Sequence, residues 1–332
     1  MLKPNLTRRR VITIAASAFG AAMIGRAGMA RAAEPLRWQG QALGAQVSLE
    51  IYHPDRNAAA RLVARSIAEV RRLEQQFSLY QADSAICELN RRGMLVAPDP
   101  DMVALLQASL GFAQLTGGAF DPTVQPLWSL YAAHFSAEHP DPAGPSADSL
   151  AEALAKVGHD GLAVSPDRVA LTRRGAGLTL NGIAQGFATD KVVALLRGAG
   201  LSTTLVDMGE IRAIGARPDG APWRIGLADP DQVGVLTETI EIVDRAVATS
   251  AGAGFRFDHE GRFTHLFDPK TGRSPSRYRS VSVLAPTATE ADALSTAFSL
   301  LPRETIERIV GARPGVQARM MDLEGRLSCC GA

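Results

Sequence analysis

The chain has 332 residues and a mass of 35.1 kDa, which is enough for one large domain or two small ones with a sizeable core. Apolar residues make up 46% of it and charged residues 21%, a composition that excludes a disordered chain. Because 35 basic residues balance 34 acidic ones and aromatic residues make up only 5%, we expect no nucleic-acid partner.

The first 32 residues have the order that is typical of a secretory signal. Three arginines, Arg8 to Arg10, precede an alanine-rich apolar run that ends at Ile24, and an Ala-x-Ala pattern follows at Ala30. The run is too short to span a bilayer of roughly 30 Å comfortably, and the paired arginines resemble a twin-arginine export signal. We therefore predict a cleaved signal peptide over residues 1–32, one domain over 33–332, and a periplasmic protein.

The first half of the remaining chain alternates strand and helix patterns. Apolar and polar residues alternate over 44–51, which predicts a half-buried strand. Helical spacing follows over 57–77, and Asp99-Pro100 opens a second helix that Gly117-Gly118 closes. Proline and acidic residues indicate an exposed loop over 136–149.

The second half is expected to contain a short strand and a helix, then several strands and a final helix. The ranges are 177–180 for the first strand, 183–197 for the helix, 203–207, 223–227, 236–243 and 280–284 for the later strands, and 289–300 for the last helix. No linker divides the chain. We therefore predict an α+β fold, a single mixed domain of largely antiparallel strands with packed helices.

The sequence contains no P-loop, no H-E-x-x-H motif and no nucleophile elbow, so its chemistry has to come from less common segments. In the segment 116–124, two glycines allow a ligand to approach the backbone, and Asp121 before Pro122 directs its carboxylate outward from a turn. A helix C-terminus followed by an Asx turn explains the same pattern.

Around Gly182 a strand is expected to run into a helix, whose free N–H groups favour an anion. The Gly182 carbonyl is accessible to a metal because no side chain covers it. A plain turn capped by Asn181 explains this segment equally well.

Two later segments carry side chains that suit phosphate chemistry. His265 precedes a turn at Asp268, where an imidazole can activate a hydroxyl or stabilise a leaving phosphate, although a structural histidine fits the same pattern. Asp292 and Thr296 are four residues apart and share one helix face. A carboxylate and a hydroxyl suit a hard cation such as Mg²⁺, and a capped helix start with a polar face is the alternative.

Taken together, these segments resemble the ApbE family of FAD:protein FMN transferases. The resemblance covers nearly the whole chain after the signal and rests on motifs in the family's order. They are F-S-x-Y at 77–80 with D-S at 83–84, T-G-G-A-F-D-P-T-V at 116–124, I-A-Q-G-F-A-T-D at 183–190, D-M-G-E at 207–210, P-W-R-I-G at 222–226, A-T-S-A-G at 248–252, H-L-F-D-P-K-T-G-R at 265–273 and A-D-A-L-S-T-A at 291–297.

The resemblance implies transfer of the FMN half of FAD to a threonine or serine hydroxyl of a partner redox protein, with release of AMP. It implies FAD contacts by Ala119, Phe120 and Asp121, and a Mg²⁺ site made of the Gly182 carbonyl, Asp292 and Thr296. His265 would lie at the reacting phosphate, where either His265 or the metal-bound carboxylate of Asp292 would be the catalytic base.

The chain departs from the family at two positions that are associated with FAD binding. Thr179 replaces an acidic residue and Gln185 replaces a lysine, so the local charge balance is preserved. A turn that is usually Met-Gly-Thr reads Leu43-Gly44-Ala45. This variation resembles the branch associated with nitrous-oxide reductase maturation, in which the acceptor flavoprotein is membrane-bound.

Two other functions remain open at the level of sequence. The same metal site could hydrolyse FAD to FMN and AMP, because water competes with threonine for the same phosphorus. A protein that binds and delivers flavin without chemistry is the second alternative, and the substitutions at Thr179 and Gln185 keep it open.

Overall fold

The computed structural model describes residues 34–331, so the predicted signal peptide lies outside the described residues. Within this range the architecture is α+β, as predicted, with strands that pair antiparallel in every sheet. No helix in residues 34–331 has both the length and the apolar character that crossing a bilayer requires.

The largest sheet among the described residues has eight strands, in the order β1-β2-β6-β7-β10-β11-β12-β13. Their bounds are β1 Leu36–Ala42, β2 Ala45–Ile51, β6 Thr204–Asp207, β7 Ile211–Ile214, β10 Ala246–Ala251, β11 Tyr278–Ala285, β12 Gln317–Asp322 and β13 Leu327–Cys330. Two smaller sheets consist of β3 Met94–Val96, β5 Arg168–Leu171 and β4 Leu162–Val164, and of the hairpin β8 Trp223–Ala228 with β9 Leu236–Ile242.

The helices of the described part are α1 Arg56–Phe77, α2 Ala85–Arg92, α3 Pro100–Leu115, α4 Gln125–Phe135, α5 Ala147–Leu154, α6 Ala184–Gly198, α7 Ala288–Phe298 and α8 Arg303–Gly311. Helix α1 begins at an Asp55 cap, whose carboxylate accepts from the N–H groups of Asn57 and Ala58 at 2.8 and 3.1 Å. Helix α3 begins at Asp99 with Pro100 in its first turn, as the sequence predicts.

Helices α6 and α7 pack against each other, and α7 also packs on β10 and β11. Helix α7 is buried along almost its whole length, which explains its alanine-rich sequence, because small side chains let two helices and a sheet approach closely. The hairpin β8–β9 packs through its apolar residues against Ile211, Val247 and Leu284 of the main sheet.

One predicted strand is wrong. Residues 177–180 form no strand, and the only pairing in this stretch is an isolated bridge between Gly177 and Val124. The reason is local, because the Thr179 N–H donates to the Pro122 carbonyl at 2.8 Å and Asn90 holds Leu178 through two hydrogen bonds. The alternative in which Asn181 caps α6 is not observed: Asn181 lies in the preceding turn, the N-cap residue Ile183 makes no side-chain bond to the helix, and Asp292 accepts from the Gly186 N–H instead.

Candidate active site

A cavity of about 1060 Å³ opens between the start of α6, the face of α7 that carries Asp292 and Thr296, the hairpin β8–β9 and the loop that follows α3. The residues singled out in the sequence all line it, although they lie far apart along the chain. They are Ala119, Phe120, Asp121, Thr179, Gly182, Gln185, His265, Asp292 and Thr296. The fold therefore brings the predicted site residues to one place, while the role of each stays a prediction.

The residues predicted to bind the metal meet where the start of α6 crosses α7. A Cβ atom added to Gly182 would lie 2.8 Å from Thr296 Oγ1, so no larger residue fits at this position. The N–H of Gly186 donates to Asp292 Oδ2 at 2.9 Å. A Cβ at Gly186 would come within 2.3 Å of the Ala288 carbonyl oxygen, so both glycines are required for the close approach of the two helices.

Asp190, two turns into α6, joins the N-terminus of α7 to α6. Its carboxylate accepts from the N–H groups of Ala288 and Thr289, both at 2.9 Å, and from the Thr289 hydroxyl at 2.6 Å. Arg212 on β7 forms an ion pair with the same carboxylate, and both side chains are largely buried. This arrangement fixes α7, and with it Asp292 and Thr296, relative to Gly182.

Three buried carboxylates lie close together, and two of them, Glu210 and Asp292, line the cavity. Burial raises the pKa of Asp207 to about 6, although the Gly209 N–H donates to it at 3.0 Å. Burial also raises the pKa of Glu210 well above its usual range, and the nearby charges of Asp292 and Asp207 raise it further. The pKa of Asp292 is raised by burial as well, against the opposing effect of the Gly186 N–H. A positive ion beside Glu210 and Asp292 would relieve the repulsion between their charged forms.

The donor set at the helix crossing fits a hard divalent cation. Asp292 Oδ2 is used by Gly186, whereas Oδ1 has no donor within residues 34–331. Ser250 on β10 adds a hydroxyl that lies 2.8 Å from Ser295 Oγ and 3.4 Å from Thr296 Oγ1. The described chain has no cluster of three His, Cys, Asp or Glu side chains arranged for a metal. A cation here would instead be held by carboxylate, hydroxyl and carbonyl oxygens.

The carboxylate of Asp121 does not point outward from its turn, as the sequence led us to expect. Its carboxylate turns inward, where Oδ1 accepts from the N–H and the hydroxyl of Thr123 at 2.8 and 2.6 Å. Oδ2 accepts from the N–H of His159 at 2.9 Å, and the side chain is only 3% exposed. The Asx turn is therefore present, and it holds the backbone of Ala119 and Phe120 against the cavity.

The two departures from the family pattern lie on one wall but do not hydrogen-bond to each other. The Gln185 amide donates to the Leu43 carbonyl at 3.1 Å, and the Leu43 N–H donates to Glu74 at 2.7 Å. Gln185 thus contacts the turn Leu43-Gly44-Ala45, which also departs from the family pattern. Thr179 uses its hydroxyl to accept from the Asn181 N–H at 3.3 Å.

His265 lies in the opposite wall, in front of an aromatic cluster. Burial lowers its pKa, so the imidazole is neutral near pH 7. Its Nδ1 lies 3.3 Å from the Phe255 carbonyl, which can only accept, so Nδ1 carries the hydrogen and Nε2 is the basic nitrogen. The ring of Phe255 packs on Phe257 and Trp128, with centroid distances of 5.0 and 6.4 Å, which fixes the segment that holds His265.

Three residues of the site were not assigned a role from the sequence. Glu210 and Ser250 lie inside quoted motifs, and Asp190 ends another. The sequence does offer a signal for Glu210. This acidic residue directly precedes Ile211, the first residue of an apolar strand, and a carboxylate in such a place is a candidate for a functional role. For Asp190 no such signal exists, because its partners lie about a hundred positions away.

The family model described as the ApbE family matches residues 43–320. The chain belongs to the ApbE family. Among curated relatives, the FAD:protein FMN transferase of Treponema pallidum (strain Nichols) is 34% identical over 287 residues, which cover 76% of this chain and 78% of that protein. The Escherichia coli (strain K12) protein of the same name is 29% identical over 299 residues, or 86% of this chain and 84% of that one.

Solved structures of the ApbE family have the same fold. The ApbE protein of Thermotoga maritima has a TM-score of 0.79 at 28% identity, covering 89% of this chain and 97% of that chain. The flavin transferase ApbE of Vibrio cholerae has a TM-score of 0.76 at 27% identity, covering 90% and 96%. The family predicted from the motifs and the fold class predicted from the order of strands and helices are therefore both confirmed.

Proposed function

We propose that this chain transfers the FMN half of FAD to a threonine or serine hydroxyl of a partner redox protein and releases AMP. The observation that carries the proposal is the meeting of Gly182, Asp292 and Thr296 beside a cavity large enough for a dinucleotide. The names of the relatives agree with this activity. The acceptor hydroxyl forms a bond to the flavin-side phosphorus, and the bond from that phosphorus to the oxygen of AMP breaks.

The chain's own groups support each part of this reaction. At the start of α6, the N–H of Gln185 has no acceptor among the described residues and can donate to the diphosphate of FAD. The neutral Nε2 of His265 can accept the proton of the acceptor hydroxyl, and AMP leaves with the electron pair of the broken bond. The Gly182 carbonyl, Asp292 and Thr296 would hold Mg²⁺, which supplies neutralisation of the phosphate charge when bound.

We further propose that the reaction takes place in the periplasm, with a membrane-bound acceptor. The support is the order of charged, apolar and small residues over 1–32, together with the Leu43-Gly44-Ala45 turn. Fusion of residues 1–40 to a reporter that is active only in the periplasm tests the export. Replacement of Arg8 and Arg9 by lysine should abolish the reporter signal, and retention of the signal would contradict twin-arginine export.

The transfer is tested by incubating the purified protein with FAD, MgCl₂ and candidate redox subunits. We expect one acceptor to gain the mass of a single FMN, with one AMP released per addition. Replacement of the target threonine of that acceptor by alanine should prevent the addition.

Two results would contradict transfer. Free FMN and AMP at a rate that no acceptor changes would indicate a hydrolase. Tight FAD binding with no AMP release in MgCl₂ would indicate a binding protein.

A further inference from the structure

The turn between β1 and β2 contains a residue in an unusual backbone conformation. Ala42 pairs with Ala45, so the loop between the strands consists of Leu43 and Gly44. Both have positive φ angles, of 50° and 78°, as in the type I′ turn that matches the twist of a hairpin. Asparagine, aspartate or glycine normally takes the first position, because these residues enter the left-handed region at a lower cost than leucine. Leu43 therefore departs from the residue preference of its own turn.

Leu43 is held in this conformation by long polar side chains from two helices. Its N–H donates to Oε1 of Glu74 on α1 at 2.7 Å, and its carbonyl accepts from the amide of Gln185 on α6 at 3.1 Å. Its own side chain is half-buried and packs against the two hydrophobic clusters that contain Phe77 and Leu49. Both polar groups of the unfavourable residue are therefore satisfied by elements outside the hairpin.

The Gln185 side chain is itself confined by the backbone of a neighbouring loop. Gly209 has a φ of 103°, and a Cβ atom added to it would lie 2.7 Å from Gln185 Cδ. The amide of Gln185 therefore lies directly against the Gly209 backbone, an approach that a larger residue would prevent. With Gly209 on one side and the Leu43 carbonyl on the other, Gln185 is a fixed support for the turn.

The turn and its supports line the cavity together. Leu43, Gly44, Glu74, Gln185 and Gly209 all belong to its wall. A residue in a sparsely populated backbone conformation persists only where the surrounding structure imposes it, and such residues cluster at ligand sites. A turn that only joined two strands would favour asparagine at its first position, whereas this turn carries leucine and is supported by two helices.

We propose that Glu74 is a positioning residue, which together with Gln185 keeps Leu43 left-handed so that the turn presents a fixed wall to bound FAD. The inference rests on the proposed function, because that function assigns FAD to this cavity. When the support of Glu74 is removed, Leu43 relaxes toward the right-handed region and the turn toward type I, which splays the two strands. The wall then has its binding shape in only a fraction of the molecules, and the affinity for FAD falls by that fraction.

The test separates an action through the turn from a direct contact between Glu74 and FAD. Glu74→Ala removes the acceptor of the Leu43 N–H, whereas Glu74→Gln keeps an oxygen that can accept from it. Each variant is made in the unchanged background and in a Leu43→Asn background, in which the sequence Asn-Gly favours the type I′ turn by itself. Glu69→Ala, on the same helix but outside the cavity, is the matched control. Quenching of flavin fluorescence measures FAD affinity.

We expect Glu74→Ala to weaken FAD binding about tenfold in the unchanged background and less than about twofold in the Leu43→Asn background. Each ratio is taken within its own background, because Leu43→Asn also changes the cavity wall. Glu74→Gln and Glu69→Ala should stay within about twofold of their parent proteins. With an acceptor protein, Glu74→Ala should raise KM for FAD about tenfold and leave kcat unchanged, because the turn carries none of the reacting groups.

Equal losses from Glu74→Ala in the two backgrounds would overturn the positioning role, because Glu74 would then act on FAD without the turn. A loss from Glu74→Gln as large as that from Glu74→Ala would also overturn it, since the charge and not the hydrogen bond would matter. Full FAD affinity of Glu74→Ala in the unchanged background would show that the turn keeps its shape unaided, against the proposal. If the ratios are as expected but no acceptor ever gains FMN, the proposed transfer fails while the positioning role stands.

Discussion

The two long walls of the cavity that holds the candidate active site are built in opposite ways. The wall of α6 and α7 is buried and joined by hydrogen bonds and an ion pair, most of them through Asp190 and Asp292. The wall of the hairpin β8–β9 ends in a tip at which Val233 is fully exposed, and beside this tip Asp231 pairs with Arg256 and Arg279 near the surface. The fold thus places Asp292 and Thr296 on a buried, cross-linked wall, whereas the opposite wall ends in an exposed turn.

The hairpin is nevertheless anchored at its base. Trp223 and Ile225 are buried against the main sheet, and the Trp223 indole donates to the Gly215 carbonyl at 3.1 Å. Only the turn between the two strands lacks such packing. Movement of the entrance therefore needs no change in the wall that carries Asp292.

We expect the largest effect on activity from a substitution in the wall of α6 and α7. Asp292→Asn should lower the rate of AMP release from FAD by roughly a thousandfold or more, because a carboxylate that would hold the cation is lost. The fold should survive, since the amide oxygen of the introduced asparagine can still accept from the Gly186 N–H and a buried charge is removed. Nucleotide analysis measures the rate, and near-normal turnover by this variant would show that the reacting centre lies elsewhere.

The second prediction compares one aspartate from each wall. Asp190→Ala should lower the free energy of unfolding by about 3 kcal/mol, because it leaves the buried Arg212 guanidinium without its partner and uncaps α7. The matched control is Asp231→Ala, which removes a carboxylate bound to Arg256 and Arg279 at the surface and should cost under about 1 kcal/mol. Denaturant unfolding measures both. Equal losses would mean that the walls do not differ in rigidity.

The third prediction concerns pH. Burial raises the pKa of Asp207 from 3.8 to about 6, so the folded state holds this proton more tightly than the unfolded state does. Its contribution is fully present below about pH 4 and is lost as the pH rises through about 6, a loss of about 3 kcal/mol. Without divalent cations, unfolding at a series of pH values should reveal this decline.

His265 changes the pH dependence of stability in the opposite direction. Because burial lowers its pKa, the folded state binds this proton less tightly than the unfolded state does, and stability falls as the pH falls. The measurement is therefore the difference between the unchanged protein and the variant Asp207→Asn, in which the introduced amide oxygen can still accept from the Gly209 N–H. A parallel decline in both proteins would contradict the assignment to Asp207.

The smallest effect is expected at the hairpin tip. Val233→Ser should change the free energy of unfolding by less than about 0.5 kcal/mol, because the side chain is exposed and contributes no packing. Thermal unfolding measures this change. A larger loss would show that the tip is packed in solution, and the contrast between the two walls would then disappear.

Much of the fold followed from local patterns. The alternation over 44–51 became β2, the helical spacing over 57–77 became α1, and Asp99-Pro100 did open α3. These elements carry their own signals, in side-chain period and in capping residues. The strand expected at 177–180 failed because this segment pairs with Asn90 and Pro122, and such distant partners leave no trace in local periodicity.

The candidate site shows the same contrast between features that local motifs predict and features that depend on distant contacts. Motif order predicted which residues line the cavity, including Gly182 and Asp292. It did not predict that Asp121 turns inward to Thr123 and His159, because the hydrogen bond to His159 spans 38 positions. Nor did it predict the raised pKa of Glu210, which depends on burial and on carboxylates from other elements.

The glycine crossing of α6 and α7 has a consequence for ion size. With hydrogen atoms alone at Gly182 and Gly186, the two helices already stand at their minimum separation, and Asp190 prevents them from moving apart. The spacing between Gly182 and the side chains of Asp292 and Thr296 therefore depends on this close approach. The cation proposed for this position would have to fit that spacing, so we expect divalent ions of different radius to support the reaction to different extents.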